Sequence, residues 1–183
     1  MVENSPILAS FTSKTGKKID CRFPDASDLE KLLGFANALV KEDTYTTLTG
    51  EMISQEAEEQ FLSKMISQMK EKNAVHILAF CDDELVANTG IVKQGKRKDD
   101  VGLFGIAISS GFRNEGIGKQ LMELLFEKAK GIGIRRAVLE VYAANDIGIS
   151  LYKKMGFLMA GQFPKHIWYK NELMDEIVMY KDL

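Results

Sequence analysis

Hydrophobic positions near the start of the chain change from an alternating to a helical spacing. Residues 7–12 and 19–23 are short runs rich in apolar residues, joined by a turn-forming sequence at 15–17, and they predict two paired strands. Between positions 29 and 40, apolar residues recur every three to four places, which indicates one face of a helix. The sequence Ser-Asp-Leu-Glu at 27–30 predicts a capping box where this helix begins.

A polar connection at 41–53 separates this helix from the next elements. Apolar residues from 57 to 69 predict a second helix, which has acids at its start and lysines at its end, as the helix dipole favours. Three strand-like runs then follow one another closely and predict an antiparallel meander, at 75–81, 85–92 and 101–109.

The second half of the chain alternates between the two kinds of pattern. After the strand at 101–109, the spacing predicts a helix at 116–130, a strand at 136–142, a helix at 145–155, and strands at 158–162 and 176–180. The predicted order is β-β-α-α-β-β-β-α-β-α-β-β. It implies one domain over 1–183 with an α/β (α+β) fold, in which helices cover both faces of a mixed central sheet.

Composition adds limits to this picture. The chain has 183 residues, of which 45% are hydrophobic and 27% charged, and a net charge of −2 gives no global attraction to nucleic acid. Cys21 and Cys81 lack metal-type spacing to each other or to His76 and His166, so we expect no metal site, and buried free thiols in a reducing compartment. Residues 1–6 carry no basic segment leading into an apolar one, and no apolar run approaches the roughly 18 residues of a membrane span, so we expect a cytoplasmic protein without a membrane partner. The sequence leaves a homodimer open.

Candidate chemistry is concentrated after the strand at 101–109. That strand leads into the sequence Arg-Asn-Glu-Gly-Ile-Gly-Lys at 113–119, which is followed by an amphipathic helix. The first N–H groups of a helix have no partner within it, and the helix dipole is positive there, so such a start can bind a phosphate. Gly116 and Gly118 would let a diphosphate approach the main chain, and Arg113 and Lys119 would add positive charge.

The two common nucleotide motifs do not fit this loop. A P-loop requires Ser or Thr after Gly-Lys, but Gln120 follows Gly118-Lys119 here. A dinucleotide fingerprint requires a third glycine at 121, where the chain has leucine. A tight turn that only introduces a surface helix remains the alternative for this segment taken alone.

Two motifs at the right separation resemble the GNAT acetyltransferases, the Gcn5-related N-acetyltransferase superfamily. The first is Arg-x-x-Gly-x-Gly at 113–118, which resembles the acetyl-CoA loop of that family. The second runs from 138 to 157 and contains Leu-Glu-Val, then Asn145, then Leu-Tyr followed by Gly-Phe. The resemblance implies the GNAT fold, in which two parallel strands splay apart to receive acetyl-CoA.

The resemblance also implies roles for individual residues. The main chain of Ile106, Ala107 and Ile108 would pair with the pantetheine arm of acetyl-CoA. The loop would hold the pyrophosphate, with Glu115 and Ile117 contributing only their backbone. Asn145 would bond the pantetheine arm; the alternative is that it caps the following helix, but Asp146 could do that instead, so we favour the cofactor role. The full set of expected cofactor-binding residues is Ile106, Ala107, Ile108, Arg113, Asn114, Glu115, Gly116, Ile117, Gly118, Lys119, Asn145 and Tyr152.

Acetyl transfer to an amine needs a neutral amine and a stabilised thiolate. By resemblance, Tyr152 would donate a proton to the departing thiolate, assistance that is typically worth ~10²–10⁴-fold. Glu140 would act as base through water, because it stands in an otherwise apolar strand where we expect it to be buried. The alternative for Glu140 is a polar residue on the solvent side of an alternating strand.

The resemblance predicts an enzyme that transfers acetyl directly from acetyl-CoA to a primary amine of a small molecule, in a ternary complex. Tyr45, Trp168 and Tyr169 would line the acceptor side, and the acids Glu42, Asp43 and Glu51 could attract a cationic amine or could simply be solvated. A protein N-terminal or lysine acetyltransferase, as for ribosomal proteins, and a non-catalytic acyl-CoA sensor are the alternatives. An open groove for a peptide would distinguish the first of these.

Overall fold

The computed structural model describes residues 5–48 and 50–183, and within them the predicted order of strands and helices is confirmed. Residues 1–4, at the start of the segment considered for a leader, and Thr49, in the polar connection, lie outside the described residues. The strands are β1 Ile7–Thr12, β2 Lys18–Arg22, β3 Ala74–Cys81, β4 Glu84–Gly95, β5 Lys98–Ile108, β6 Arg136–Tyr142, β7 Leu158–Tyr169 and β8 Glu172–Asp182. The helices are α1 Leu29–Glu42, α2 Gln55–Lys70, α3 Ile117–Gly131 and α4 Asp146–Lys154.

Eight strands form one sheet in the order β1-β2-β3-β4-β5-β6-β8-β7. Every neighbouring pair is antiparallel except β5 and β6, which are parallel. These two strands pair only between Val101–Leu103 and Arg136–Val138, and beyond Leu103 they separate. The prediction of a mixed sheet with splayed parallel strands is therefore confirmed.

Helices cover both faces of the sheet, as predicted. Along β3, Val75, Ile77 and Ala79 point into the larger core beneath α3 and α4, whereas Leu78 and Phe80 point into a smaller core beneath α1 and α2. Such alternation follows from the period of two in a strand. We call these two surfaces the α3 face and the α1 face.

A capping box is present near the start of α1, but it is formed by other residues than the predicted Ser27 and Glu30. Asp25 caps a short 3-10 turn at Ala26–Asp28, and the side chains of Asp25 and Asp28 form the capping box there. Asp28 is almost fully buried and pairs with Arg22, whose Nη1 donates to its Oδ2 at 2.7 Å. The Asp28 carboxylate also accepts a hydrogen bond from Asp25 N at 2.9 Å, so Asp28 and Asp25, and not Ser27 and Glu30, form the box.

The last two strands are longer than the hydrophobic pattern predicted. The prediction gave 158–162 and 176–180, but the hairpin extends from Leu158 to Asp182 and turns at Lys170 and Asn171, both with positive φ. Strand β7 lies at an edge of the sheet and is mostly exposed. Its sequence therefore does not alternate between apolar and polar residues, which is the pattern that the prediction relied on.

Two smaller findings complete the fold. Cys21 is buried and Cys81 is half-buried, and both are free thiols. Across residues 5–48 and 50–183, no helix combines the length and the apolar character needed to cross a membrane.

Candidate functional site

The segment between β5 and α3 is shaped by two residues in left-handed backbone conformations. After Ile108 the chain makes a 3-10 turn at Ser110–Phe112, and α3 begins at Ile117. Asn114 has φ of 63° and Gly116, the N-cap of α3, has φ of 83°. Successive N–H groups in such a sequence of conformations point toward a common concave side, which suits an anion.

This segment presents an unusual row of backbone donors. The N–H groups from Asn114 to Lys119 make no hydrogen bond to the described part of the chain. The first bond of α3 is from Gln120 N to Gly116 O, at 3.4 Å. Because unpaired donors and the positive end of the helix dipole coincide here, the loop can bind a diphosphate through its main chain.

The two glycines of the loop have different roles. A Cβ on Gly116 would meet only Lys14 Cε, at 4.0 Å, so this side of the loop is open. A Cβ on Gly118 would lie 2.9 Å from Leu151 Cδ2 and 3.4 Å from Ile108 Cδ1. We expected both glycines to let a ligand approach. Because Gly118 has no side chain, α3 can pack closely against α4 and β5 at this position.

Arg113 is engaged by the protein itself. Its Nε donates to the carbonyl of Ile108 at 2.8 Å, and its two terminal nitrogens contact the two carboxylate oxygens of Glu42, one of them at 2.8 Å. The guanidinium charge that we expected to serve a phosphate is therefore balanced by Glu42. The pair fastens the loop to the end of α1 and also accounts for one of the acids expected to attract a cationic acceptor.

A cleft of about 420 Å³ opens where β5 and β6 separate. Five of the predicted cofactor-binding residues line it, from the end of β5, the loop and the start of α4: Ile106, Ala107, Ile108, Arg113 and Asn145. On its other side the lining includes Thr44, Tyr45 and Thr46 from the connection after α1. The structure thus brings the two sequence motifs together around one space.

Asn145 caps α4, which is the alternative role considered for it, and Asp146 is the first residue of the helix. The Asn145 side-chain oxygen accepts a hydrogen bond from Gly148 N at 2.9 Å. Its side-chain nitrogen makes no hydrogen bond within the described ranges, and the residue lines the cleft. The cap and a bond to a ligand are therefore compatible, because they use different atoms.

Tyr152 lies deeper than the cleft lining. Its ring is 9% exposed and packs edge-on against Phe104, with a centroid distance of 6.1 Å, and against Phe157 at 5.9 Å. Burial raises the pKa of Tyr152 to about 12, so the phenol keeps its proton at neutral pH. Its hydroxyl makes no hydrogen bond to the described residues.

Glu140 is exposed, so the expectation that it is buried in an apolar strand was wrong. The apolar neighbours Leu139 and Val141 point into the core on the α3 face, and Glu140 points to the α1 face. Its partner across the sheet is Val178 of β8. Glu140 stands two positions beyond the last paired residue of β6 with β5, which is where the two strands have begun to separate.

Three tyrosines form a cluster at the outer side of the cleft. Tyr45, Tyr142 and Tyr169 have ring centroids 5.2 to 5.7 Å apart. The Tyr142 hydroxyl donates to the carbonyl of Thr46 at 3.0 Å, and the Tyr169 hydroxyl donates to the carbonyl of Asp43 at 2.9 Å. We call these three residues the tyrosine cluster; it fixes the connection after α1 to the ends of β6 and β7.

Sequence reasoning found two members of this cluster and missed the third. Tyr45 and Tyr169 were expected near the acceptor, but Trp168 is 65% exposed and does not join them. Tyr142 ends β6 on the same face as Glu140, two positions away. This spacing along the strand is the signal in the sequence that could have placed Tyr142 beside the cleft. Of the other acids expected there, Asp43 ends α1 with a left-handed backbone, and Glu51 is exposed.

A second hollow, of about 520 Å³, lies at the opposite end of β5 and β6. Its charged lining residues pair with one another, since Arg135 Nη2 donates to Asp100 at 2.5 Å and Arg136 Nε donates to Asp182 at 2.6 Å. It is far along the sheet from the loop, and its charges are already satisfied. We therefore assign the chemistry to the cleft beside the loop.

Among the described residues, a parallel pair of strands separates beside a row of unpaired N–H groups, an arrangement that can receive a ligand with a diphosphate and an extended arm. The model of the acetyltransferase (GNAT) family matches residues 41–157. The chain belongs to this family, so the resemblance seen in its two motifs is confirmed.

Individual relatives show both the likeness and its limits. The L-amino acid N-acetyltransferase AaaT of Escherichia coli K12 is 30% identical over 105 residues, which cover 56% of this chain and 65% of the relative. The ribosomal protein bS18-alanine N-acetyltransferase of the same strain is 36% identical over 59 residues, which cover 32% of this chain and 40% of that protein. The matched part of the chain therefore spans less than two thirds of the length of either relative.

Solved structures agree over nearly the whole chain. A GNAT-family acetyltransferase from Streptococcus pneumoniae has a TM-score of 0.81 and 30% identity, and the match covers 90% of this chain and 99% of that one. YncA of Salmonella typhimurium, which was solved with its cofactor acetyl-CoA, has a TM-score of 0.79 at 14% identity, with coverage of 90% and 94%. The second likeness concerns the fold alone.

Proposed function

We propose that this chain transfers the acetyl group of acetyl-CoA to the primary amine of a small molecule, by direct transfer in a ternary complex. The observation that carries the proposal is the cleft itself. It has a row of six unpaired N–H groups at one end, the open edge of β5 along one side and the tyrosine cluster at the other end. A donor and an acceptor can therefore enter from different directions and meet between β5 and β6.

The donor would lie along the open edge of β5. Ile106, Ala107 and Ile108 pair with β4 on one side but have no partner in β6 on the other, because that pairing ends at Leu103. An extended amide-containing arm can add to such an edge like a further strand. The pyrophosphate would then reach the N–H groups from Asn114 to Lys119, and the amide of Asn145 would bond the arm.

Tyr152 is the proposed acid for the departing thiolate. A phenol whose pKa is raised to about 12 by burial is fully protonated at neutral pH, so it can donate a hydrogen bond as negative charge develops on sulfur. A thiol has a pKa of roughly 8.5, so complete proton transfer from this phenol would be uphill. Tyr152 would therefore act chiefly by stabilising the thiolate, once the bound arm brings sulfur within reach.

Glu140 is the proposed base, acting through water. A primary alkylamine has a pKa of roughly 10.4 and is mostly protonated at neutral pH, so a proton must be removed before attack. Glu140 is exposed on the α1 face where the strands separate, and its carboxylate can pass that proton to solvent. An exposed position favours relay through water over direct contact with the amine.

The way the connection after α1 is fastened favours a small acceptor over a peptide. Hydroxyl groups of Tyr142 and Tyr169 bond the carbonyls of Thr46 and Asp43, and Asn37 bonds both the N–H and the carbonyl of Ile53. The described parts of the connection are thus held near both ends, and Thr44, Tyr45 and Thr46 line the proposed acceptor side of the cleft. An extended peptide would need that side to be open.

The test is a thiol-release assay with acetyl-CoA and a panel of L-amino acids, polyamines, aminoglycosides and a peptide with N-terminal alanine. We expect turnover with at least one small amine and little with the peptide. Turnover confined to the peptide would support the protein-acetyltransferase alternative, which the resemblance to the bS18-alanine enzyme motivates. Binding of acetyl-CoA without release of thiol for any acceptor would support the sensor alternative.

A further inference from the structure

The turn between β1 and β2 rests directly on the loop after β5. Lys14 N donates to the carbonyl of Glu115 at 3.1 Å. Thr15 donates twice to one carboxylate oxygen of Glu115, from its N at 2.9 Å and from its hydroxyl at 2.8 Å. We call these three bonds the Thr15–Glu115 latch. The two bonds from Thr15 join residues 100 positions apart, and they give the Glu115 side chain a partner where the sequence predicted a contribution from its backbone alone.

The latch keeps Glu115 charged and directs it away from the open side of the loop. The hydrogen bonds from Thr15 hold the pKa of Glu115 below its usual range, with a smaller contribution from Lys17. Lys17 itself lies over the ring of Phe112, with its Nζ 4.2 Å from the ring centroid. The negative charge of Glu115 is therefore committed to the turn, and the loop can still receive an anion.

Lys14 extends over that open side. Its Cε lies 4.0 Å from the position that a Cβ on Gly116 would occupy, and Gly116 is the N-cap of α3 in the middle of the unpaired N–H groups. Within residues 5–48 and 50–183, its ammonium makes no ion pair, whereas Arg113 is paired with Glu42 and Lys119 lies 3.8 Å from Glu123. Among the described cations beside the loop, Lys14 is the one whose ammonium contacts neither a carboxylate nor an aromatic ring.

We propose that Lys14 is a ligand for the phosphate groups of acetyl-CoA, and that the Thr15–Glu115 latch is the device that positions it. The proposal rests on the donor assignment made above and extends the cofactor site to the first hairpin of the chain. A lysine is a point charge on a flexible stem, so it can serve either the pyrophosphate or the phosphate on the ribose. Both groups are anionic, and an ammonium held beside Gly116 can bind either one.

The first experiment measures the affinity of Lys14→Ala for three ligands by calorimetry: acetyl-CoA, acetyl-dephospho-CoA and acetyl-pantetheine. We expect a loss of about 10-fold for acetyl-CoA at low salt, as for one charge-assisted contact, and no loss for acetyl-pantetheine, which has no nucleotide phosphates. A loss that persists with acetyl-dephospho-CoA identifies the pyrophosphate as the contact, and a loss that disappears identifies the ribose phosphate. Unchanged affinity for acetyl-CoA, or an equal loss for acetyl-pantetheine, would overturn the proposal.

Lys18→Ala is the matched control. Lys18 belongs to the same hairpin, is 68% exposed and pairs with Asp20 at 2.9 Å, so its removal takes the same charge from the protein without touching the loop. We expect its affinity for acetyl-CoA to equal that of the wild type. A loss as large as that of Lys14→Ala would mean that the effect is one of overall charge.

The second experiment tests the latch as a positioning device. Glu115→Ala removes two of its three bonds and should weaken acetyl-CoA binding, but it should add little when Lys14 is already alanine. Fully additive losses would show that the latch does not act through Lys14. If the wild-type protein bound no acetyl-CoA at all, the donor assignment would fail too; wild-type binding that Lys14→Ala leaves unchanged refutes this inference alone.

Discussion

His76 should make the stability of the fold depend on pH. Its imidazole is 8% exposed on β3, it packs on Gly90 of β4, and its Nε2 is buried without a hydrogen-bond partner in the described residues. Burial lowers the pKa of His76 from 6.5 to about 4. The folded protein therefore binds this proton less readily than the unfolded chain, so the stabilisation is complete above about pH 6.5 and is lost as the pH falls toward 4.

The size of the effect follows from the shift. At pH 4.5 the unfolded chain is almost fully protonated at this site and the folded protein is mostly not, which removes about 2 to 3 kcal/mol of the free energy of unfolding relative to pH 7.5. His76→Phe keeps a flat ring over Gly90 but cannot titrate. Urea unfolding of both proteins at pH 7.5, 6.0, 5.0 and 4.5 measures how steeply the free energy of unfolding of each protein falls with pH.

Comparison with the variant is needed because carboxylates also titrate in this range. Asp20 and Asp25 have lowered pKa values, so the stability that each contributes starts to be lost at the acidic end of this range, equally in both proteins. We expect the wild type to lose more stability than His76→Phe between pH 6.5 and 4.5. Parallel curves for the two proteins would refute the reasoning, because they would mean that His76 titrates normally in the folded state.

Three substitutions test the cleft. Gly118→Val should cost about 1–3 kcal/mol of unfolding free energy, because its side chain must displace Leu151 and Ile108; an unchanged urea midpoint would contradict this packing role. Tyr152→Phe should lower kcat far more than acetyl-CoA affinity, and wild-type turnover would remove its role toward the thiolate. Glu140→Gln should lose the acidic limb of the pH–rate profile while the urea midpoint stays near that of the wild type, since the side chain is exposed. A profile identical to the wild type would leave Glu140 as a surface residue.

The sequence predicted best those elements whose two sides differ in polarity. Strand β6 was predicted with its observed bounds, Arg136–Tyr142, because buried and less buried residues alternate along it. The hairpin of β7 and β8 was predicted at less than its full length. Most of β7 is exposed to solvent, so its sequence does not need to alternate between apolar and polar residues. Similarly, Asp25 could not be chosen over Ser27 as a cap without knowing that Arg22 would hold Asp28.

In the candidate site, the sequence predicted the residues that have a local signal but not their distant partners. The loop at 113–119 and Asn145 are local signals, because glycine spacing and helix starts can be read within a few residues. The partners that define how the site works are distant in sequence: Glu42 lies 71 positions from Arg113, and Thr46 lies 96 from Tyr142. The exposure of Glu140 could not be decided from the sequence, because its apolar neighbours in β6 fit either a buried or a solvent-facing glutamate.

The tyrosine cluster holds the connection after α1 through its main chain, so the position of the connection depends little on the side chains that it presents to the cleft. Both hydroxyl anchors bond main-chain carbonyls, so they hold the connection whatever side chains it carries at those positions. Thr44 and Thr46 line the cleft, yet neither anchor uses their side chains. The Thr44 side chain can therefore be varied in a library to alter acceptor preference while both anchors stay in place, whereas Thr46 also bonds Leu48 through its hydroxyl.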